Sequence, residues 1–324
     1  LNRIRDHLHL DTPTVFGKTL GECLDGSEVY NDDVIRTLNN PIAQQGGTAL
    51  IAPGVFDGYG ARMVQQQGYE AVYMTGNGVS ASLLGRPDVG LIDLSLMSGH
   101  ARRVASCVNL PLICDADTGY GNVVGVRRTI EEFEAAGVAA IHMEDQISPK
   151  RCAQLPGDRS VLPFREAVAK IEAAVAARKD DQFMIIARTD SVGAEGLAAG
   201  IQRAQAFQKA GADAVFVELK AHGGLLDDLK RIADSLTIPC TVNIDAGGPL
   251  LGLPASQLHL HGVALAIYPA LLRNSVGFAM REALQHLQND GHTLAAKPRQ
   301  LSSKEYNDCL GLPEVEKWEG QFPV

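Results

Sequence analysis

Seven short apolar stretches lead into residue types that can do chemistry. Asp57 follows the run at 49–52, Asp115-Ala116-Asp117 the run at 110–114 and Glu144-Asp145 the run at 139–143. Arg188 and Asp190 follow the run at 183–187, Glu218 follows 214–217, and Asn243 lies in the run at 240–244. Four or more carboxylates on one rim repel one another unless a cation offsets them, and hard carboxylate oxygens suit Mg²⁺ or Mn²⁺. An Asp just after a strand can equally cap the helix that follows, a reading that is easier for one Asp alone than for Asp115, Asp117 and Glu144 together. The seventh stretch, 71–74, leads into Thr75-Gly76-Asn77-Gly78, whose glycines let backbone N–H groups approach a bound carboxylate. An Arg at the end of an apolar strand, as at 188, holds either an anionic substrate or a neighbouring carboxylate. Cys152 sits in a Pro- and Gly-punctuated loop directly after Lys150-Arg151, two cations that can make a thiol a usable acid or nucleophile.

The runs themselves say what holds these residues. Eight β-rich runs, the seven above and one at 263–267, alternate with amphipathic helical patterns at 126–136, 164–177, 196–210 and 225–236. Gly68, Gly137 and Gly211 stand where a left-handed cap ends a helix before the next strand. Eight repeated units predict an α/β fold of the (β/α)8 barrel type, whose chemistry collects at the C-terminal ends of the strands. The doubly wound alternative lacks its G-x-G-x-x-G after the first strand. The organisation expected is an arm at 1–44, the barrel at 45–290 with a long helix at 270–288, and a helical tail at 291–324.

Composition narrows the class. Lys plus Arg number 29 against 38 Asp plus Glu, a formal net charge of −9, so neither nucleic acid nor an anionic membrane surface is the expected partner. No apolar run approaches the roughly 20 residues needed to cross a bilayer. The mixed charges of the first residues suit a cytoplasmic protein, with organellar import left open because the chain starts without Met. Six scattered cysteines, without a C-x-x-C pair, suit reduced thiols.

Taken in order, Asp115-Ala116-Asp117-Thr118-Gly119-Tyr120-Gly121-Asn122, Glu144-Asp145-Gln146 with Pro149-Lys150-Arg151-Cys152, and Ile186-Ala187-Arg188-Thr189-Asp190 resemble the phosphoenolpyruvate mutase/isocitrate lyase superfamily. Pro53-Gly54-Val55-Phe56-Asp57, Met74-Thr75-Gly76 and Ile267-Tyr268-Pro269 extend the resemblance to the 2,3-dimethylmalate lyase, methylisocitrate lyase, oxaloacetate hydrolase and petal-death protein group. The resemblance implies a barrel whose eighth helix is exchanged between subunits in a dimer of dimers. It implies Mg²⁺ held, partly through waters, by Asp57, Asp115, Asp117 and Glu144. It further implies a 2-oxo acid carboxylate bound by Thr75, Gly76 and Asn77, an oxyanion stabilised by Arg188, and a departing carbanion protonated by Cys152.

Two departures stand out against that pattern. The family's Cys-Gly-His is Cys152-Ala153-Gln154, and its Asn-x-x-Glu-Gly-Gly is Asn243-Ile244-Asp245-Ala246-Gly247-Gly248. Both fall on the side that holds the departing acid, so Gln154 and Asn243 become the expected contacts of an altered distal group. The implied activity is Mg²⁺-dependent carbon–carbon cleavage of a substituted malate-like 2-hydroxy carboxylate, giving pyruvate or glyoxylate and a second acid. Oxaloacetate hydrolysis or decarboxylation, a phosphonomutase and a non-catalytic homologue are the alternatives. The thiol favours a lyase over a mutase, which generally lacks it.

Overall fold

A computed structural model describes residues 47–152, 155, 159–219, 224–244, 246–248 and 250–322. The proposed arm at 1–44, like Gln154 and Ala153, lies outside the described residues. Eight strands close into a barrel in sequence order: β1 (Leu50–Val55), β2 (Val72–Met74), β3 (Leu112–Asp115), β4 (Ala140–Glu144), β5 (Met184–Thr189), β6 (Ala214–Val217), β7 (Cys240–Asn243) and β8 (Val263–Tyr268). Every pairing is parallel, β8 returning to β1 with Leu265 opposite Leu50. The (β/α)8 expectation holds, each of the eight runs becoming a strand with its ends moved by a few residues.

Two of the helices sit just above the strand ends: α1 (Gly58–Gln66) after β1 and α2 (Gly76–Leu84) after β2. Then come α3 (Leu94–Ala105), α4 (Val123–Ala135), α5 (Phe164–Ala177), the single turn α6 (Val192–Glu195), α7 (Leu197–Lys209), α8 (Leu225–Asp234) and α9 (Ala255–Leu260). After β8 follow α10 (Leu271–Asp290), α11 (Ser303–Cys309) and α12 (Leu312–Gln321).

Side-chain alternation along the strands decides what each residue faces. Ile113, Ala140, Ile186, Phe216 and Ile267 fill the barrel interior, while their neighbours Cys114, Ile141, Ile185 and Val215 pack outward against the helices. The inward series continues two residues further along each strand, to Asp115, His142 and Glu144, Arg188 and Glu218. The polar rim is therefore the top layer of the same inward-facing column that makes the apolar core. The helix α10 is built differently: it is 20 residues long and none of them is buried. Phe278, Met280 and Leu284 are each more than half exposed.

Candidate active site

The rim closes over a small pocket lined by Tyr73, Thr75, Asn77, Asp88, Asp115, Glu144, Lys150, Cys152, Arg188, Asn243 and Arg273, among others. Of the residues the sequence singled out, Thr75, Asn77, Asp115, Glu144, Cys152, Arg188 and Asn243 meet here. Gly76 and Asp117 lie directly behind that wall.

Thr75 and Gly76 do not form a free loop. Thr75 is the N-cap of α2 and Gly76 its first residue, so the first turn of the helix points its N–H groups into the site. The Gly76 N–H donates to Asp115 Oδ2 at 3.3 Å, and a Cβ at this position would lie 2.5 Å from the same oxygen. Asp115 Oδ1 accepts from the Asp117 N–H at 3.0 Å. Asp117 itself has φ +46°, in the left-handed region that a non-glycine residue enters only when its surroundings demand it. Its carbonyl accepts from the Glu144 N–H at 2.8 Å, tying β3 to β4.

Asp57 is not among the residues that line the pocket. Its carboxylate accepts from the Gly60 N–H at 2.7 Å and caps α1, the role the sequence left open beside that of a metal ligand. The structure also brings in Asp88, from the connection between α2 and α3. Lys150 Nζ lies 2.7 Å from Asp88 Oδ2 and 2.6 Å from Asp117 Oδ1, all three groups buried. The Cys152 N–H donates to the Asp88 carbonyl at 3.3 Å, so one short segment anchors both the lysine and the thiol. Lys150 is thereby engaged with carboxylates. Asn77 reaches Cys152, its Nδ2 donating to Sγ at 3.2 Å. Asp88 follows no strand and carries no periodic signal; only the folded connection shows it to be part of the rim.

Arg188 is the hub of the opposite wall. Its Nε and Nη2 both bond Asp190, at 3.0 Å each, its Nη1 is 3.3 Å from Glu144 Oε2 and its Nη2 3.6 Å from Glu218 Oε2. The guanidinium also lies over the Phe216 ring, 4.8 Å from its centroid. Asp190 is in turn held from behind: Asp145 accepts from the Asp190 N–H at 2.9 Å and from Thr189 Oγ1 at 2.7 Å, and pairs with Arg203 at 3.2 Å. Arg159 approaches Asp190 from the far side.

The electrostatics show an acidic centre short of positive charge. Burial pushes the carboxyl groups of Asp88, Asp117 and Glu144 above the usual carboxylate range, although Lys150 draws Asp88 and Asp117 back and Arg188 draws Glu144 back. Against burial, His142, Lys150 and Arg188 hold Asp115 below that range. Burial also keeps His142 neutral, lowering its pKa to about 4, so near neutral pH the cations acting on Asp115 are Lys150 and Arg188. Glu144 Oε1 is buried without a hydrogen-bond partner.

The match to known proteins follows this geometry. Residues 41–288 match the family model described as phosphoenolpyruvate phosphomutase. The chain belongs to the phosphoenolpyruvate mutase/isocitrate lyase superfamily. It is 37% identical to the 2,3-dimethylmalate lyase of Eubacterium barkeri, over 84% of this chain and 93% of that enzyme. Oxaloacetate acetylhydrolase, solved with the inhibitor 3,3-difluorooxalacetate, superposes with a TM-score of 0.83 at 29% identity, over 91% of this chain and 97% of that one. Phosphonopyruvate hydrolase, solved with oxalate and Mg²⁺, gives 0.79 at 28% identity, over 91% and 99%. Within the superfamily, the lyase relatives and the shared barrel make the chain a carbon–carbon lyase. No helix among the described residues is long and apolar enough to cross a membrane.

Proposed function

We propose that this lyase cleaves a substituted malate-like 2-hydroxy dicarboxylate into a 2-oxo acid, pyruvate or glyoxylate, and a second carboxylic acid. The observation that carries the reading is the meeting of the α2 N-terminus, the buried acids, Arg188 and Cys152 around one small pocket.

The donor set fits a divalent cation. Among the described residues no three metal-binding side chains converge closely enough to enclose an ion. Mg²⁺ asks for less, since it takes one or two carboxylates and fills its shell with water and substrate oxygens. Asp115 and Glu144, with Asp88 and Asp117 behind them, are the residues that would hold it, and the unpartnered Glu144 Oε1 is an oxygen available for the purpose. When bound, Mg²⁺ supplies charge that stabilises negative charge developing on the substrate's 2-oxygen.

This chain's own residues account for the remaining tasks. The N–H groups at the start of α2 bind the carboxylate next to the 2-oxygen. Arg188, fixed by Asp190 and Glu144, offers a preorganised guanidinium to the same developing charge. A carboxylate of the acid cluster takes the 2-hydroxyl proton as C2=O forms and C2–C3 breaks, whose electron pair passes to C3 as the enediolate of the departing acid; after the Cys152 step that same proton restores the thiol. The Cys152 thiol then gives its proton to C3, and no water is consumed. Asn77, donating to Sγ, stabilises the thiolate left behind.

We also assign the exposed apolar side chains of α10 to a partner subunit, in a dimer of dimers with that helix exchanged. The absence of any buried residue on a 20-residue helix supports this.

Product analysis by NMR tests the function. Malate, 2-methylmalate, 2,3-dimethylmalate, methylisocitrate, isocitrate and oxaloacetate are incubated with the protein and Mg²⁺, with and without excess chelator. A 2-oxo acid with a matched second acid, lost on chelation and in Cys152→Ser, is the expected result. Oxalate plus acetate from oxaloacetate would move the assignment to a hydrolase, and full turnover by Cys152→Ser would remove the thiol from the mechanism.

A further inference from the structure

Asp145 and Gln146 follow Glu144 at the end of β4, and their backbone lies antiparallel to the stretch that leads into α5. The Leu162 N–H donates to the Asp145 carbonyl at 2.8 Å and the Ile147 N–H to the Ser160 carbonyl at 2.9 Å, with Gln146 opposite Val161. The chain that goes on to carry Lys150 and Cys152 is therefore pinned where it leaves the barrel. Side-chain alternation turns Ile147 outward, into a surface groove it shares with Val161 and Phe164, and Gln146 inward, where it is 2% exposed.

The buried amide is directed at one residue. Its Oε1 accepts from the Arg151 N–H at 2.9 Å and its Nε2 donates to the Arg151 carbonyl at 3.1 Å, the double exchange that a neighbouring strand would make. These two bonds fix both peptide planes around Arg151, the one shared with Lys150 and the one shared with Cys152. The second plane is also held from its other edge, where the Cys152 N–H donates to the Asp88 carbonyl at 3.3 Å. A shift of this backbone would reach the two functional side chains unequally. Lys150 has a four-carbon stem that can keep its ammonium on Asp88 and Asp117 while its Cα moves. Cys152 has a single carbon between backbone and sulfur, so Sγ goes where the peptide goes and its 3.2 Å contact with Asn77 goes with it.

Resting on the lyase reading above, we infer that Gln146 is the positioning residue for the proton donor: its amide, clamped across the main chain of Arg151, holds the Cys152 thiol at the pocket. Gln146 is not among the residues that line the pocket, so it acts through Cys152 and not on the substrate.

The test is Gln146→Met, which keeps the length of the side chain and removes both hydrogen bonds. The crystal structure of the variant is solved, kcat and KM are measured on the substrate that the product screen identifies, and Mg²⁺ affinity is measured by calorimetry. Sγ is expected to leave hydrogen-bond range of Asn77 Nδ2. With it kcat falls by about 10²-fold, the cost of a displacement of about 1 Å, while KM and Mg²⁺ affinity stay within about threefold of the parent. A thiol that stays in place overturns the inference whatever the rate. So does a fall in Mg²⁺ affinity that matches the fall in kcat, which would make Gln146 a general support of the site. A displaced thiol with kcat intact upholds the placement and overturns the Cys152 step of the lyase reading. If no substrate is turned over by the parent, the lyase reading falls, and the position of Sγ alone decides whether Gln146 places the thiol. Should Gln146→Met fail to fold, Gln146→Glu, which keeps the acceptor for the Arg151 N–H and loses the donor to its carbonyl, carries the same test.

Discussion

Replacing Gly76 with alanine puts a methyl group into the acid cluster at its tightest point. The added Cβ would stand 2.5 Å from Asp115 Oδ2 and 3.1 Å from its Cγ, where ordinary contact begins near 3.4 Å, so one partner must yield by roughly 0.9 Å. Asp115 has little room to do so. It is buried at the end of β3, with Oδ1 accepting from the Asp117 N–H and Oδ2 from the Gly76 N–H itself. Either the carboxylate turns away from the pocket or the first turn of α2 lifts off it. Both movements displace the groups assigned to Mg²⁺ and to the 2-oxo acid by about the distance that typically costs 10²-fold in rate. Overpacking of this size lowers stability by about 1–3 kcal/mol, which a domain with 5–15 kcal/mol in hand survives folded. The assay is kcat/KM on whichever substrate the product screen identifies, Mg²⁺ affinity by calorimetry, and far-ultraviolet circular dichroism as a control for folding. An unchanged spectrum, kcat/KM lower by about 10²-fold and weaker Mg²⁺ binding are expected. A variant within about threefold of the parent in both quantities would refute the placement of Asp115 and the α2 N-terminus in one functional unit.

Asp57→Ala and Asp88→Asn separate the acid that caps a helix from the one on the rim: the first costs about 1 kcal/mol of stability, read from the melting temperature, and leaves turnover intact. The second weakens Mg²⁺ binding and, by leaving the buried Lys150 with one carboxylate fewer, also lowers stability by about 3–5 kcal/mol; weakened Mg²⁺ binding in Asp57→Ala but not in Asp88→Asn would restore Asp57 to the metal site. Asn77→Ala removes the amide that donates to Cys152 Sγ. Its loss slows iodoacetamide alkylation of Cys152 at neutral pH by about tenfold, the effect of one hydrogen bond to a charged group. Peptide-resolved mass spectrometry checks this, and an unchanged rate would show that Asn77 does not activate the thiol.

The barrel and most of its rim are legible in the sequence because both follow from one short-range rule. Alternation along a strand places every second residue on the inside, so Asp115, Glu144, Arg188 and Glu218 follow from the apolar runs that precede them. The Asp115-Ala116-Asp117 and Ile186-Ala187-Arg188-Thr189-Asp190 motifs gave the superfamily for the same reason, since the chemistry is concentrated at strand ends. What the tertiary structure decided is the identity of groups that no strand carries. Asp57 follows the first strand and Asp88 follows α2, and neither position alone shows where its carboxylate ends. One caps α1, whereas the other is carried by the α2–α3 connection to within 2.7 Å of Lys150. Lys150 precedes Cys152 in the chain by two residues, yet its long side chain reaches across to the β3 acids, because a buried ammonium is stabilised most by the carboxylates that surround it. The Asn77 contact with Cys152 joins residues 75 positions apart. Residue types and their period determine which side chains face inward; the distances between those side chains depend on how loops and helices from the whole chain pack, and only the folded structure contains them.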